Sequence, residues 1–144
     1  MSLDFRDELR QTLYDQFLTN FPTEYGAALP IQLENQKFGK VDTPFLSAYI
    51  YYVSGQRASI GTSKKFQRHD GFFCIECQVP EDTGMATLWL MAGAVERAMP
   101  EQQLQLGDGS YVSLHTSKVT RNTSQDGWYF VTVMIPFCLD VCIE

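Results

Sequence analysis

The sequence predicts a single α+β domain over residues 1–144: a mixed or antiparallel sheet, an N-terminal helix and a second helix packed on it, and one long hairpin loop. Three observations predict it. Apolar residues recur at helical spacing in two stretches and alternate with period two in several others. These stretches follow one another in the order helix, strands, helix, strands. With 144 residues, 44% of them hydrophobic and 13% aromatic, the chain is long and apolar enough to bury one core.

Residues 3–21 read as an amphipathic helix, because Phe5, Leu9, Leu13, Phe17 and Phe21 repeat every fourth position and Leu3, Tyr14 and Leu18 widen the stripe. Ser2 or Asp4 can cap its start and Pro22 is expected to stop it. Residues 22–30 read as a connection and "IQLEN" as a short strand. In "PFLSAYIYYVSG", Leu46, Ala48, Ile50 and Tyr52 alternate with Phe45, Tyr49, Tyr51 and Val53. Both sets are apolar or aromatic, so this segment is expected to be a central strand covered on both sides. "GFFCIECQVP" alternates in the same way and forms the other arm of a hairpin.

A second helix is expected from Thr83 or Gly84 to Met99, with Met85, Leu88, Trp89, Ala92, Val95 and Met99 on a wide apolar face and Pro100 ending it. The remainder reads as a hairpin. Its arms are "SYVSLHTSKVT" and "WYFVTVMIPFCLDV", joined through "RNTSQDG", where Asp126-Gly127 is a turn signal.

Seventeen acidic against eleven basic side chains leave a formal charge of −6, which disfavours sequence-independent binding to nucleic-acid phosphates. No positive n-region precedes an apolar stretch in "MSLDFRDELRQ", and no apolar run approaches the roughly 18 residues needed to cross a bilayer. A soluble, non-secreted protein without membrane contacts is expected, with Cys74, Cys77, Cys138 and Cys142 as reduced thiols.

Against this acidic background, "SGQRASIGTSKKFQRHDG" gathers Arg57, Lys64, Lys65 and Arg68 with Asp70 as its only acid, and the stretch from Gln56 to Asp70 reads as the hairpin loop. It is not a phosphate-binding P-loop. Gly55 and Gly61 have the wrong separation, Lys64 follows Thr62 and Ser63 instead of preceding them, and the stretch leads into a strand where a phosphate cradle needs a helix N-terminus. Phe66 is its one aromatic residue, so it lacks the interleaved rings of a single-strand binding platform. A cationic arm on an acidic body suits like subunits meeting head to tail. Arg57, Lys64, Lys65 and Arg68 are the expected contact residues, with Phe66 as their apolar anchor.

The cysteines suggest a structural zinc site by their spacing, Cys-x2-Cys and Cys-x3-Cys, but a strand places Cys74 and Cys77 on opposite faces and holds Cys138 and Cys142 roughly 13 Å apart. Buried small hydrophobes are the better reading. His69 and His115 lie in no recognisable nucleophile motif, and His69-Asp70 reads as a polar loop end before it reads as a catalytic dyad. No enzymatic activity, cofactor or metal is expected. The rival of that class is a small zinc- or thiol-dependent enzyme using the four cysteines and His69.

Set in order, these elements resemble the tail terminator-like proteins of long-tailed phages, the family of the lambda-type terminator. The likeness runs through "LPIQLENQKF" and Pro44-Phe45-Leu46, Ser54-Gly55-Gln56, Arg68-His69-Asp70-Gly71 opening a strand, and Val79-Pro80 with Gly84 before the second helix. It ends with Gly127-Trp128-Tyr129 leading to Ile135-Pro136-Phe137. The resemblance implies an α+β subunit that closes into a ring with copies of itself, typically a hexamer, on the last ring of the tail tube. Such a ring, at the head-tail junction of the virion, halts polymerisation of the major tail tube protein and offers a surface to the head-completion or connector protein. DNA only passes through its lumen. A neck or head-tail completion protein of the same virion is the alternative within this class.

Overall fold

The computed structural model describes residues 5–34, 43–57, 65–81, 83–107, 109–121 and 127–143, with backbone alone at 54–57, 65–67, 121 and 141–143. Helix α1 spans Phe5–Tyr25 and buries Leu9, Leu13, Tyr14, Phe17 and Phe21. Leu18 turns outward, and Pro22 does not stop the helix. A proline in the last turn removes a single N–H donor. The core stripe meanwhile continues through Phe21 to Tyr25, whose rings stack 5.3 Å apart. Gly26, at φ 89, ends the helix, and its N–H still donates to the Pro22 carbonyl at 2.9 Å.

Seven strands among the described residues form one mixed sheet: β1 (Ile31–Gln32), β2 (Phe45–Arg57), β3 (Lys65–Pro80), β4 (Gln102–Gln105), β5 (Tyr111–Leu114), β6 (Lys118–Arg121) and β7 (Trp128–Ile143). Their order is β1-β2-β3-β7-β5-β4, with β6 beside β5 on the same edge of β7. Only β1 runs parallel to its neighbour, and it covers just Leu46 and Ser47 of the β2 edge. Beyond it the Glu34 carboxylate accepts from the Ile50 N–H, occupying an edge donor that pairing leaves over.

The segment "SYVSLHTSKVT" is two strands where the pattern suggests one. The break lies opposite Pro136, whose carbonyl accepts from His115 N–H at 2.9 Å and which has no N–H of its own to give. Across the break the pairing sum shifts by one residue, from Leu114↔Phe137 to Lys118↔Met134.

Helix α2 (Met85–Ala98) starts after Gly84, at φ 93, and buries Leu88, Met91, Ala92, Val95 and Ala98. Both helices lie on one face of the sheet. Phe73, Ile75, Cys77 and Val79 of β3 and Val131, Val133, Ile135 and Phe137 of β7 close the core beneath them. Asn20 Nδ2 donates to the Ala98 carbonyl at 3.2 Å, joining the two helices. No described helix is long and apolar enough to cross a membrane.

Candidate assembly surfaces

In the basic stretch the described residues, 54–57 and 65–71, are strand where a loop is expected. The β2–β3 ladder continues through Ser54↔Asp70, Gly55↔His69, Gln56↔Arg68 and Arg57↔Gln67. On its other side β3 stays paired to β7 as far as Lys65↔Ile143. The result is a three-stranded ribbon running on from the helix-covered sheet. Residues 58–64, Lys64 among them, lie outside the described residues, and of Arg57, Lys65 and Phe66 only the strand positions are described.

Arg68 is placed in full. Its Nε donates to Asp140 Oδ1 at 3.0 Å and its Nη2 to Asp140 Oδ2 at 3.4 Å, a two-point contact across β3 and β7. Both side chains remain 44–45% exposed, so the pair is open to solvent and to a partner.

His69 and Asp70 point to opposite faces, as neighbours in a strand must, which removes the dyad reading. The His69 ring lies on Phe5 with centroids 4.4 Å apart, and its Nε2 is buried without a hydrogen-bond partner among the described residues. Burial first, and the Arg6 charge second, hold its pKa below the usual histidine value. Burial also governs the described thiols. Cys77 faces the core and its pKa is pushed up to about 12 by burial, while burial also raises Cys74 on the opposite face. Half-buried Cys138 is pushed up to about 11, by burial and by Asp70. The Cys142 side chain is not described. Among the described residues no group of three or more His, Cys, Asp or Glu side chains could hold a metal ion.

Two apolar surfaces escaped the sequence reading. The first is the sheet face opposite the helices. β2 is covered on one side only, so Tyr51 on the bare side is 58% exposed and Val53 is 54% exposed. Register sets Tyr51, Phe72 and Pro136 in one row across this face and Tyr49, Cys74 and Met134 in the next. The second is the outer stripe of α2. Trp89, expected in the core, is 43% exposed and Leu90 is 64% exposed, flanked a turn away by Ala86 and Gly93. The sign of both was legible in the excess of apolar residues on "YIYYV" and "LWLMAGAV", more than one buried face can use.

A protein-family model described as phage tail terminator protein matches residues 7–137. One solved structure, of a protein without a descriptive name, aligns with a TM-score of 0.73 at 19% identity, over 96% of this chain and 98% of the other. A second, from the virion of a native gene transfer agent particle, aligns with a TM-score of 0.65 at 17% identity, over 97% of this chain and 100% of the other. Both share the fold. No curated protein matches the chain.

Proposed function

The chain belongs to the phage tail terminator family, a family of tail structural proteins, and on that premise we propose that it forms a ring that caps the tail tube. The observation that carries this reading is the family match over residues 7–137, since it spans both helices, the sheet and most of the ribbon together. The fold shared with a chain of the gene transfer agent virion supports a place in a virion.

A tube grows because each ring displays a face that accepts the next. A terminator occupies that face without reproducing it, so one heterologous interface is closed and no new one is offered. In this reading the protein assembles with copies of itself, in the number of a hexamer, stacks on the last ring of the major tail tube protein, and presents its far side to the head-completion or connector protein. DNA passes through the lumen, and the protein resides at the head-tail junction after assembly in the host cytoplasm. The ribbon supplies the reach: residues 65–70 of β3, at about 3.3 Å per residue, span roughly 20 Å beyond the helix-covered sheet. Arg57, Lys64, Lys65, Phe66 and Arg68 are its contact residues.

The test is tube length. Phage lacking the protein should assemble overlong tubes, and the triple reversal Lys64→Glu, Lys65→Glu, Arg68→Glu should reproduce that defect while the purified variant keeps its fold. Tubes of normal length detached from heads would point instead to a neck protein, and normal tails with the triple variant would remove the ribbon from the mechanism.

A further inference from the structure

The two exposed apolar surfaces lie on opposite sides of the molecule. α2 rests on the sheet through Leu88, Met91, Ala92 and Val95, so its outer stripe, centred on Trp89 and Leu90, points away from the sheet. The rows of Tyr51-Phe72-Pro136 and Tyr49-Cys74-Met134 point the other way, from the face that no described helix covers, with Tyr51 the most exposed ring and Cys74 itself buried among its neighbours. A bare apolar sheet face lacks a helix, and a helix with a second apolar stripe lacks a sheet. Each is half of the layer contact that already forms the core of this fold.

We propose that a second copy of this chain covers the bare sheet face, seating the Trp89-Leu90 stripe of its α2 across the Tyr51 and Tyr49 rows. This rests on the reading of the chain as a self-assembling subunit and specifies the contact between neighbours. Because the two halves sit on opposite faces, the contact is heterologous. Each copy has one of each half to offer, so contacts propagate from copy to copy until the rotation closes a ring.

Area and charge both favour this occupant. Tyr51, Leu90 and Trp89 each expose on the order of 100 Å² of mostly apolar surface. With the half-buried rings and thioether between them, each patch reaches the few hundred Å² at which an exposed apolar surface marks an interaction site.

Next to the apolar rows the sheet face carries two acids: Asp70, two residues from Phe72 and beside Cys138, and half-buried Glu76, two residues from Cys74, which accepts from Gln78 Nε2 at 3.3 Å and forms no ion pair among the described residues. Next to the apolar stripe α2 carries one cation, Arg97, 58% exposed and drawn back over Gly93. Gly93 stands one turn from Leu90, roughly 5 Å along the helix. Glu76 stands two residues from Cys74, roughly 7 Å along the strand. A helix laid in the direction of β3 with Leu90 on the Tyr49-Cys74-Met134 row therefore brings the Arg97 guanidinium to Glu76, whereas the opposite direction carries it toward Phe72 and Asp70. In the free subunit Arg97 is held by Glu24 at 3.3 Å, an exposed pair that is readily exchanged.

The experiment is native mass spectrometry of the full chain across a concentration series, with Leu90→Asp, Tyr51→Asp, Glu76→Arg, Arg97→Glu and the double swap Glu76→Arg with Arg97→Glu, each first checked for a wild-type melting transition. The expected result is assembly of the wild type, about tenfold or greater weakening in each single variant, and recovery in the double swap. Wild-type assembly that Leu90→Asp and Tyr51→Asp both leave unchanged overturns this contact while the ring reading stands. A wild type that stays monomeric throughout overturns both. If one apolar-to-acid variant fails to fold, the charge pair still decides: singles that weaken and a double that does not recover place Glu76 and Arg97 in separate contacts and overturn the proposed register.

Discussion

Gly71→Ala tests the packing at the root of the ribbon. Gly71 lies in β3 between Tyr52 of β2 and Phe137 of β7, whose rings meet edge to face at 6.3 Å over the space a side chain would occupy. A Cβ there would run into the Tyr51 carbonyl oxygen and stand 2.7 Å from Cζ of Phe137. The ring can rotate, but the carbonyl belongs to backbone pinned beside the β2 bulge between Tyr52 and Ser54, so the clash must move a strand. Overpacking of this kind costs about 3 kcal/mol, the upper end of the usual range, against which a stiffer unfolded chain returns about 0.5 kcal/mol. For a chain of 144 residues a net loss of about 2.5 kcal/mol lowers Tm by about 8 °C. Thermal unfolding followed by circular dichroism measures it. A Tm within about 2 °C of wild type would refute the reasoning, since it would mean that β2 moves aside without loss. Measuring Gly71→Ala in a Phe137→Leu background separates the two obstacles: the part owed to the ring is relieved there and the part owed to the carbonyl is not.

Phe73, fully buried and in ring contact with Tyr14 and Phe17, should cost about 3–5 kcal/mol on replacement by alanine, measured by urea unfolding. His69 gives the fold a pH dependence of definite sign. Its folded pKa lies below the usual 6.5, so the unfolded chain binds the proton more tightly, and its contribution is present above pH 6.5 and declines as the pH falls through the folded value. Denaturant titrations between pH 5 and 7 should show that slope in the wild type and a shallower one in His69→Phe. Cys74 and Cys77 should resist alkylation at neutral pH in the folded protein and react on unfolding, as a mass-spectrometric labelling count would show.

Residues with one buried and one wet face announced themselves. The α1 stripe and the alternation of "GFFCIEC" were readable because burial imprints period on sequence. The ribbon was not, for the same reason. Residues 54–57 and 65–70 run on from the helix-covered sheet and owe their extended form to ladders with neighbouring strands, which leave no mark on side-chain polarity. β4, "QQLQ", was silent likewise, an edge strand with Leu104 as its single apolar residue. Pro22 misled because a helix held by tertiary packing tolerates one missing donor in its last turn. Trp89 and Tyr51 misled in the opposite sense: apolar pattern was equated with a core inside one chain, and these side chains lie outside it. Of the five candidate contact residues, charge composition brought out the four cations, and Phe66 followed as the one aromatic residue among them. Nothing in composition could have shown that Arg68 is tethered to Asp140, 72 residues away.

The pairing of β3 with β7 also sets when this protein can act. β7 is the last described strand to be synthesised, yet it is the centre of the sheet, and β5 and β6 attach to the remaining strands only through it. Before it emerges from the ribosome, the β2–β3 hairpin and the β4–β5 pair are separate pieces, and non-local closure of this kind is slow compared with helix formation. The Tyr51-Phe72-Pro136 row does not exist until then, because its third member arrives with β7. A nascent chain therefore carries no finished sheet face until β7 has been made and paired.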